Sequence, residues 1–265
     1  MRNPILGIAG SGAAGAGAPV AGYNVWLDAS DTSTITHSSN AVSAWTDKSA
    51  NAYVFEQLTA TAKPTTNTRT INSLNVLDFD GTSDFLQSTA AASTWNFIHN
   101  ATGSTIFMVV NTDANAGANA LLSTNEGGTT TPGMYYYVAP GGADQYHRVL
   151  LSGTSGTYVV NNIIDAAAVW LNGTTQALGL LTDPSNATTL NRAKLYRNNN
   201  TDVAVNGGAD GGAYSTNNAY NTINICGGAG NYLNGMVAEI IIYNSQLSGT
   251  DITSNMNYLK TKWGI

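Results

Sequence analysis

At 265 residues, with 43% hydrophobic and only 10% charged side chains, the chain can bury a sizeable core while exposing short neutral polar groups rather than ions. Its ten basic residues are scattered and its net charge is −6, which excludes the clustered cationic footprint that nucleic acid requires. The single cysteine, Cys226, excludes an intrachain disulfide, and within "INICGG" it reads as a small buried apolar group.

The first element in chain order is "MRNPILGIAGSGAAGAGAPVAG", residues 1–22. Its larger apolar groups are Ile5, Leu6, Ile8 and Val20, and Gly7 and Ala9-Gly10 interrupt the run. That is short of the roughly 7–15 apolar residues of a secretory signal. The expectation is a small-residue anchoring arm that holds a partner through Ile5, Leu6 and Ile8, with a cleaved signal as the alternative. Small side chains let such a backbone thread a groove or add as a strand.

From Tyr23 onward, short β-type runs alternate with Gly, Asn, Thr and Ser turns. The expected strands are "YNVWLD" (23–28), "YVFEQL" (53–58), "LNVLDFD" (74–80), "STIFMVVN" (104–111) and "GMYYYVA" (133–139). "YHRVLLS" (146–152), "AVWLN" (168–172), "AKLYRN" (193–198), "NTINIC" (221–226) and "GMVAEIIIYN" (235–244) continue the series. No composition shift divides residues 23–265, so they form one domain, a β-sandwich or barrel. The run from Asp165 to Trp170 is too short to span a bilayer, and no membrane partner is expected. In the tail, Ile252, Met256, Leu259 and Trp263 recur at helical spacing, with Ser248 as cap and Gly264 as stop.

Within these elements, "NVLDFDGTSDFLQS" gathers Asp78, Asp80 and Asp84 around a glycine. Calcium needs six to eight oxygens, and an EF-hand alignment puts Ser83 at the glycine position and Thr89 at the bidentate glutamate. The preferred reading is therefore a strand, with Leu77 and Phe79 inward and Asp78 and Asp80 outward, that turns at Gly81; calcium at the three aspartates is the alternative. None of the three glutamates, Glu56, Glu126 and Glu239, has an acidic partner two or five residues away. Glu239, in an apolar strand, reads as a hydrogen-bonded structural carboxylate. His37, His99 and His147 lack metal-ligand spacing, and no cofactor is expected. Sugar sites combine aromatic faces with short polar side chains. The loop "GGADGGAYSTNNAYN" supplies Tyr214, Asn217, Asn218 and Tyr220, and "GAGNYLNG" supplies Tyr232, as a candidate glycan-binding set.

"VWLDASD", "AWTDKSA" (44–50), "VLDFDGTSDFL" (76–86), "AEIIIYNSQLS" (238–248) and "NYLKTKWGI" follow one another in an order and spacing that resembles the laminin-G-like branch of the concanavalin A-like lectin/glucanase superfamily. The resemblance covers roughly residues 23–265. It implies an all-β jelly-roll sandwich of two antiparallel sheets, here with a short C-terminal α-helix and an extended N-terminal arm. Glucanases of that superfamily use carboxylates spaced E-x-D-x-x-E, a pattern this chain lacks. "QYHR" (145–148) is similar to the Q-x-H of jelly-roll alginate lyases, but the companion motifs are absent. The chain is accordingly expected not to be an enzyme. Members of the family occur as sugar-binding or adhesion modules and as parts of phage heads and tails. The expectation is thus a virion structural protein, decorating a head or forming part of a tail fibre, placed at the virion surface. It would join other virion proteins through residues 1–22, associate as a homo-oligomer, and touch host or environmental glycans. A secreted bacterial carbohydrate-binding or adhesion module is the alternative.

Overall fold

The computed structural model describes residues 17–265 apart from 114–116, 129, 142–143, 154–155, 166–171, 200, 203 and 209–210, and apart from the side chains of 140–147, 162–165 and 204–208. The anchoring residues Ile5, Leu6 and Ile8, and most of the expected strand at 168–172, lie outside the described residues.

The chain forms two antiparallel sheets packed face to face, with the helix Gly249–Trp263 on the outside of one. The back sheet is organised around Asn234–Tyr243. Ser104–Thr112 pairs along one side of it, followed by Gln176–Thr182 and Ala193–Arg197. Along the other side, Leu74–Asp80 pairs with its first half and Val25–Asp28 with its second. Thr65–Ile71 lies beyond Leu74–Asp80. The front sheet runs, in spatial order, through Ile35–Ser38, Ala41–Thr46, Val54–Glu56, Leu86–Ser88 and Asn224–Ile225. It continues through Asn119–Ser123, Gly133–Gly141, Asp144–Ser152, Tyr158–Asp165 and Ala204–Gly208. The two sheets are stitched together at the pair Ala41 and Thr65.

Strand periodicity explains the layers, because successive side chains point to opposite faces. In Ser104–Thr112, Ile106, Met108 and Val110 fill the space between the sheets, while Phe107 and Val109 face the helix. Val25 and Leu27, Leu77 and Phe79, and Ile240 and Ile242 contribute to the same inner layer. Each such fully buried side chain contributes about 1.5–3 kcal/mol. The helix packs Ile252, Met256, Leu259 and Trp263 onto Phe107, Ile241 and Tyr243, the face read from the sequence. Ser248 caps it: its hydroxyl accepts from the Asp251 amide at 3.2 Å and donates to Asp251 Oδ2 at 2.7 Å. Gly264, at φ 70°, ends it in the left-handed conformation. Of the segment expected as an arm, Pro19 is buried. Val20 is held by its own domain: its amide donates to Asn255 Oδ1 at 3.0 Å, and the Tyr243 hydroxyl donates to its carbonyl at 2.6 Å.

Candidate functional site

The aspartates do not converge. Asp78 pairs with Arg69, whose guanidinium bridges it at 2.9 Å and also binds Asp113. Asp80 Oδ1 accepts from the amides of Thr82, Ser83 and Asp84 at 2.8, 2.9 and 3.1 Å, which folds the turn after Gly81 back on itself. Asp84 is buried, and its Oδ2 accepts from the Asp80 amide at 3.1 Å. Burial, then the neighbouring Asp80 carboxylate, pushes Asp84 up to about 6. Leu77 and Phe79 point inward as expected. Among the described residues no three His, Cys, Asp or Glu side chains are grouped to hold a metal ion.

Glu239 is a structural carboxylate. The register shifts between Val237 and Glu239, a bulge that leaves Ala238 without a partner on Ser104–Thr112 and puts Ala238 and Glu239 on the same, helix-facing side. Fully buried, Glu239 accepts four bonds: Trp26 Nε1 and the Tyr258 hydroxyl on Oε1, both at 2.7 Å, and Trp263 Nε1 at 2.7 Å and Lys262 Nζ at 2.9 Å on Oε2. Lys262 also reaches Asp28 at 2.7 Å, and Lys48 links Asp28 to Asp31 at 3.1 and 2.9 Å. Burial works to raise Asp28, but the bonds from Lys262, Ser30 and Lys48 outweigh it and hold the carboxyl below its ordinary value. Cys226 is equally closed off, since burial pushes its thiol far up and makes it a packing group. His99 is buried on the Asn217 carbonyl at 3.1 Å, and the side chain of His147 lies outside the described residues.

The candidate glycan residues fall into two places. The loop carrying Tyr214, Asn217, Asn218 and Tyr220 folds onto the turn Ala92–Ile98. There Asn96 Nδ2 donates to Asn218 Oδ1, and Asn96 Oδ1 accepts from the Ala219 amide, both at 2.9 Å. Tyr214 packs against the core between the sheets, and Tyr220 stands 53% exposed. Tyr232 belongs elsewhere, to the outer face of the front sheet. On that face Glu56, Gln87, Asn224, Ser123 and Tyr135 stand opposite one another on five adjacent strands. Gln87 Nε2 donates to Asn224 Oδ1 at 2.9 Å, and Tyr135 stacks on Tyr137 with ring centroids 4.4 Å apart.

Across this row lies a tight hairpin, Gly227-Gly228 paired with Asn231-Tyr232 through Ala229 (φ 53°) and Gly230 (φ 72°). It lies flush because two glycines let it. A Cβ on Gly227 would come within 2.7 Å of Phe85 Cβ, and one on Gly228 within 2.4 Å of Ser123 Oγ. The hairpin sets the Tyr232 ring beside Phe85, with centroids 6.3 Å apart. On one side of Tyr232 is a recess of about 390 Å³ lined by Thr82, Asn119, Asn231 and Asn234. On its other side is one of about 160 Å³ lined by Phe85, Glu126, Asn224 and the hairpin glycines. Aromatic rings flanked by carboxamides offer apolar faces and paired donors and acceptors to a polyhydroxylated ligand. Tyr214, Asn217, Asn218 and Tyr220 line neither recess. Phe85, Asn119, Asn224 and Asn234 were not singled out from sequence; the glycine-rich run before Tyr232 was the available signal, and strand pairing does the rest.

No family model matches the chain, and no curated protein matches it in sequence. Solved structures do share its fold. A Trypanosoma rangeli sialidase bound to a difluoro-nononic acid superposes at TM-score 0.57 and 16% identity, over 91% of this chain and 33% of the sialidase. The same organism's sialidase in complex with sialic acid gives 0.56 and 15%, over 90% of this chain and 33% of that one. Domain 4 of AbnA, a GH43 extracellular arabinanase from Geobacillus stearothermophilus solved with arabinotriose, gives 0.57 and 11%, over 88% of this chain and 98% of the domain. The expectation that the chain is not an enzyme is corrected here: its fold is shared with chains that are sialidases, so the absence of one glucanase motif does not exclude activity. The chain spans about a third of the length of those sialidases, and the phage context has no counterpart among these structures. What the comparisons establish is the fold: an all-β sandwich with one C-terminal helix, shared with a third of a sialidase and with a whole domain of an arabinanase.

Proposed function

We propose that the chain is a carbohydrate-binding domain of the kind carried by extracellular glycan-processing proteins, and that it binds at the Tyr232 hairpin. The observation that carries this reading is the pair Tyr232 and Phe85, flanked on both sides by carboxamide-lined recesses. The resemblance to laminin-G-like modules supports it, as does the likeness to a domain solved with arabinotriose. The low charge and hydroxyl-rich surface suit a place outside the producing cell. The virion reading rests on the family resemblance and on residues 1–22, most of which lie outside the described part of the chain, and the phage context has no counterpart among the solved structures.

The test is affinity electrophoresis or calorimetry against a panel of polysaccharides. The wild type should be retarded by at least one of them. Tyr232→Ala should weaken that binding by about tenfold or more, the loss expected for one stacking aromatic. Tyr220→Ala, on the other loop, should bind as the wild type does. Retention of full affinity by Tyr232→Ala, with loss in Tyr220→Ala, would move the site to the 211–221 loop.

A further inference from the structure

We infer that the Tyr232 site is part of a longer groove that takes an internal stretch of a linear, uncharged glycan; this rests on the carbohydrate-binding reading above. A third recess, of about 180 Å³, lies between Glu56, Gln57, Leu58, Phe85 and Gln87. Phe85 lines both this recess and the second one, and Tyr232 and Gly230 line both the second and the first. The three therefore run end to end, with an aromatic ring at each junction. Four residues of the row, Glu56, Gln87, Asn224 and Ser123, mark the crossing of four strands. At about 4.8 Å per strand that is roughly 14 Å, the length of about three sugar units in an extended chain.

The chemistry of the lining selects against charge. Among the described residues, no lysine, arginine or histidine borders any of the three recesses, whereas Glu56 and Glu126 do. Arg148, on the same face, lies over Tyr137 at 5.5 Å and borders none of them. Recognition of a sugar carboxylate or sulfate calls for a cationic fork, and a like charge set against it is penalised. The remaining side-chain donors and acceptors are carboxamides and the hydroxyls of Thr82 and Tyr232, suited to neutral hydroxyl groups. Leu58, 77% exposed at the far end, gives an apolar shelf on which a further ring can rest. The ligand class is thus a neutral linear polysaccharide read along its length. An acidic sugar read at its terminus, such as the sialic acid bound by the sialidase, does not fit this lining.

The experiment is calorimetric titration of the full chain with neutral arabino-, xylo-, cello-, manno- and laminari-oligosaccharides of two to six units. Oligogalacturonate, alginate oligomers and sialyllactose serve as acidic probes. The expected result is one neutral series whose affinity climbs up to about three or four units and then levels, with acidic probes weaker by about tenfold or more. Glu56→Gln with Glu126→Gln should narrow that gap, and Leu58→Ser should weaken the longer oligomers while sparing the dimer. If an acidic probe binds as tightly as any neutral one, or if dimers bind as well as hexamers, the inference fails; provided that binding still requires Tyr232, the carbohydrate-binding reading survives it. If no glycan binds a chain shown by circular dichroism to be folded, both fall together.

Discussion

At the scale of single residues, two carboxyls pull stability in opposite directions with pH. Asp28 sits below its ordinary value of 3.8, so its contribution is complete above that value and is lost as pH falls through the lower folded one. Asp84 is raised to about 6, so the folded state binds its proton more tightly than the unfolded state does. Stability from Asp84 is therefore full below about 3.8 and declines as pH rises through about 6. Asp84→Asn keeps an acceptor for the Asp80 amide and removes the buried charge. It should raise the melting temperature at pH 8, by the equivalent of about 1 kcal/mol once solvent screening is allowed for, and change little at pH 4. A matched pair of thermal melts checks the sign. Glu239 makes the larger claim. Glu239→Gln turns an acceptor toward the indole of Trp263 into a donor and takes from Lys262 one of its two carboxylate partners, so urea unfolding should show a loss of about 3 kcal/mol or more. That Glu239 is structural was legible from its apolar neighbours. Its partners were not, because Trp26 lies 213 positions away and Tyr258, Lys262 and Trp263 come from the next element.

Elements were only partly legible, since the apolar strands Asn119–Ser123, Tyr158–Asp165 and Gln176–Thr182 were not read from the sequence. Leu74–Asp80 and Ser104–Thr112 are nearly the runs read from the sequence, and the capped tail helix forms with the expected face. Strands such as Thr65–Ile71, Ala41–Thr46 and Leu86–Ser88 escaped notice because they are polar or short, and only their partners across the sheet make them strands. The hairpin Gly227–Tyr232 is the same case with more at stake. Its glycines look like a loop until the row beneath it is known. Gly228→Ala places a methyl on Ser123 and a side chain at φ 155°, so the hairpin must lift and carry Tyr232 away from Phe85. The expected outcome is loss of glycan binding by about tenfold or more, with a melting temperature within a few degrees of wild type. Since the hairpin bonds to the sheet through Ser123 and Gly227, a fall of tens of degrees would mean that it also holds the sandwich together.

At the scale of the whole molecule, the helix is part of the sandwich and not an ornament on it. It covers Phe107, Val109, Ile241 and Tyr243 on the back sheet and supplies three of the four donors to Glu239. Removing residues 249–265 leaves that apolar face and the carboxylate bare. The truncated chain should collect in the insoluble fraction, or bind a hydrophobic dye if it is recovered. A soluble, cooperatively melting product would show that the two sheets suffice without it. The arrangement of sheets was implied by the resemblance to jelly-roll lectins. The outer-face groove was not, because the row beneath it comes from five strands whose members are up to 168 positions apart, Glu56 to Asn224 being the widest.

The middle strand of the back sheet is Asn234–Tyr243, and it arrives almost last. Until it leaves the ribosome, Val25–Asp28 and Leu74–Asp80 on one side of the back sheet have no strand to join them to Ser104–Thr112 on the other. Nine-tenths of the chain must therefore wait, with its apolar faces exposed, for a ten-residue keystone. Closing loops of that length before any reward is gained makes for slow folding and a dependence on chaperones. Nascent chains stalled before residue 234 should remain sensitive to protease, and resistance should appear in one step once Asn234–Tyr243 and the helix Gly249–Trp263 behind it have cleared the exit tunnel.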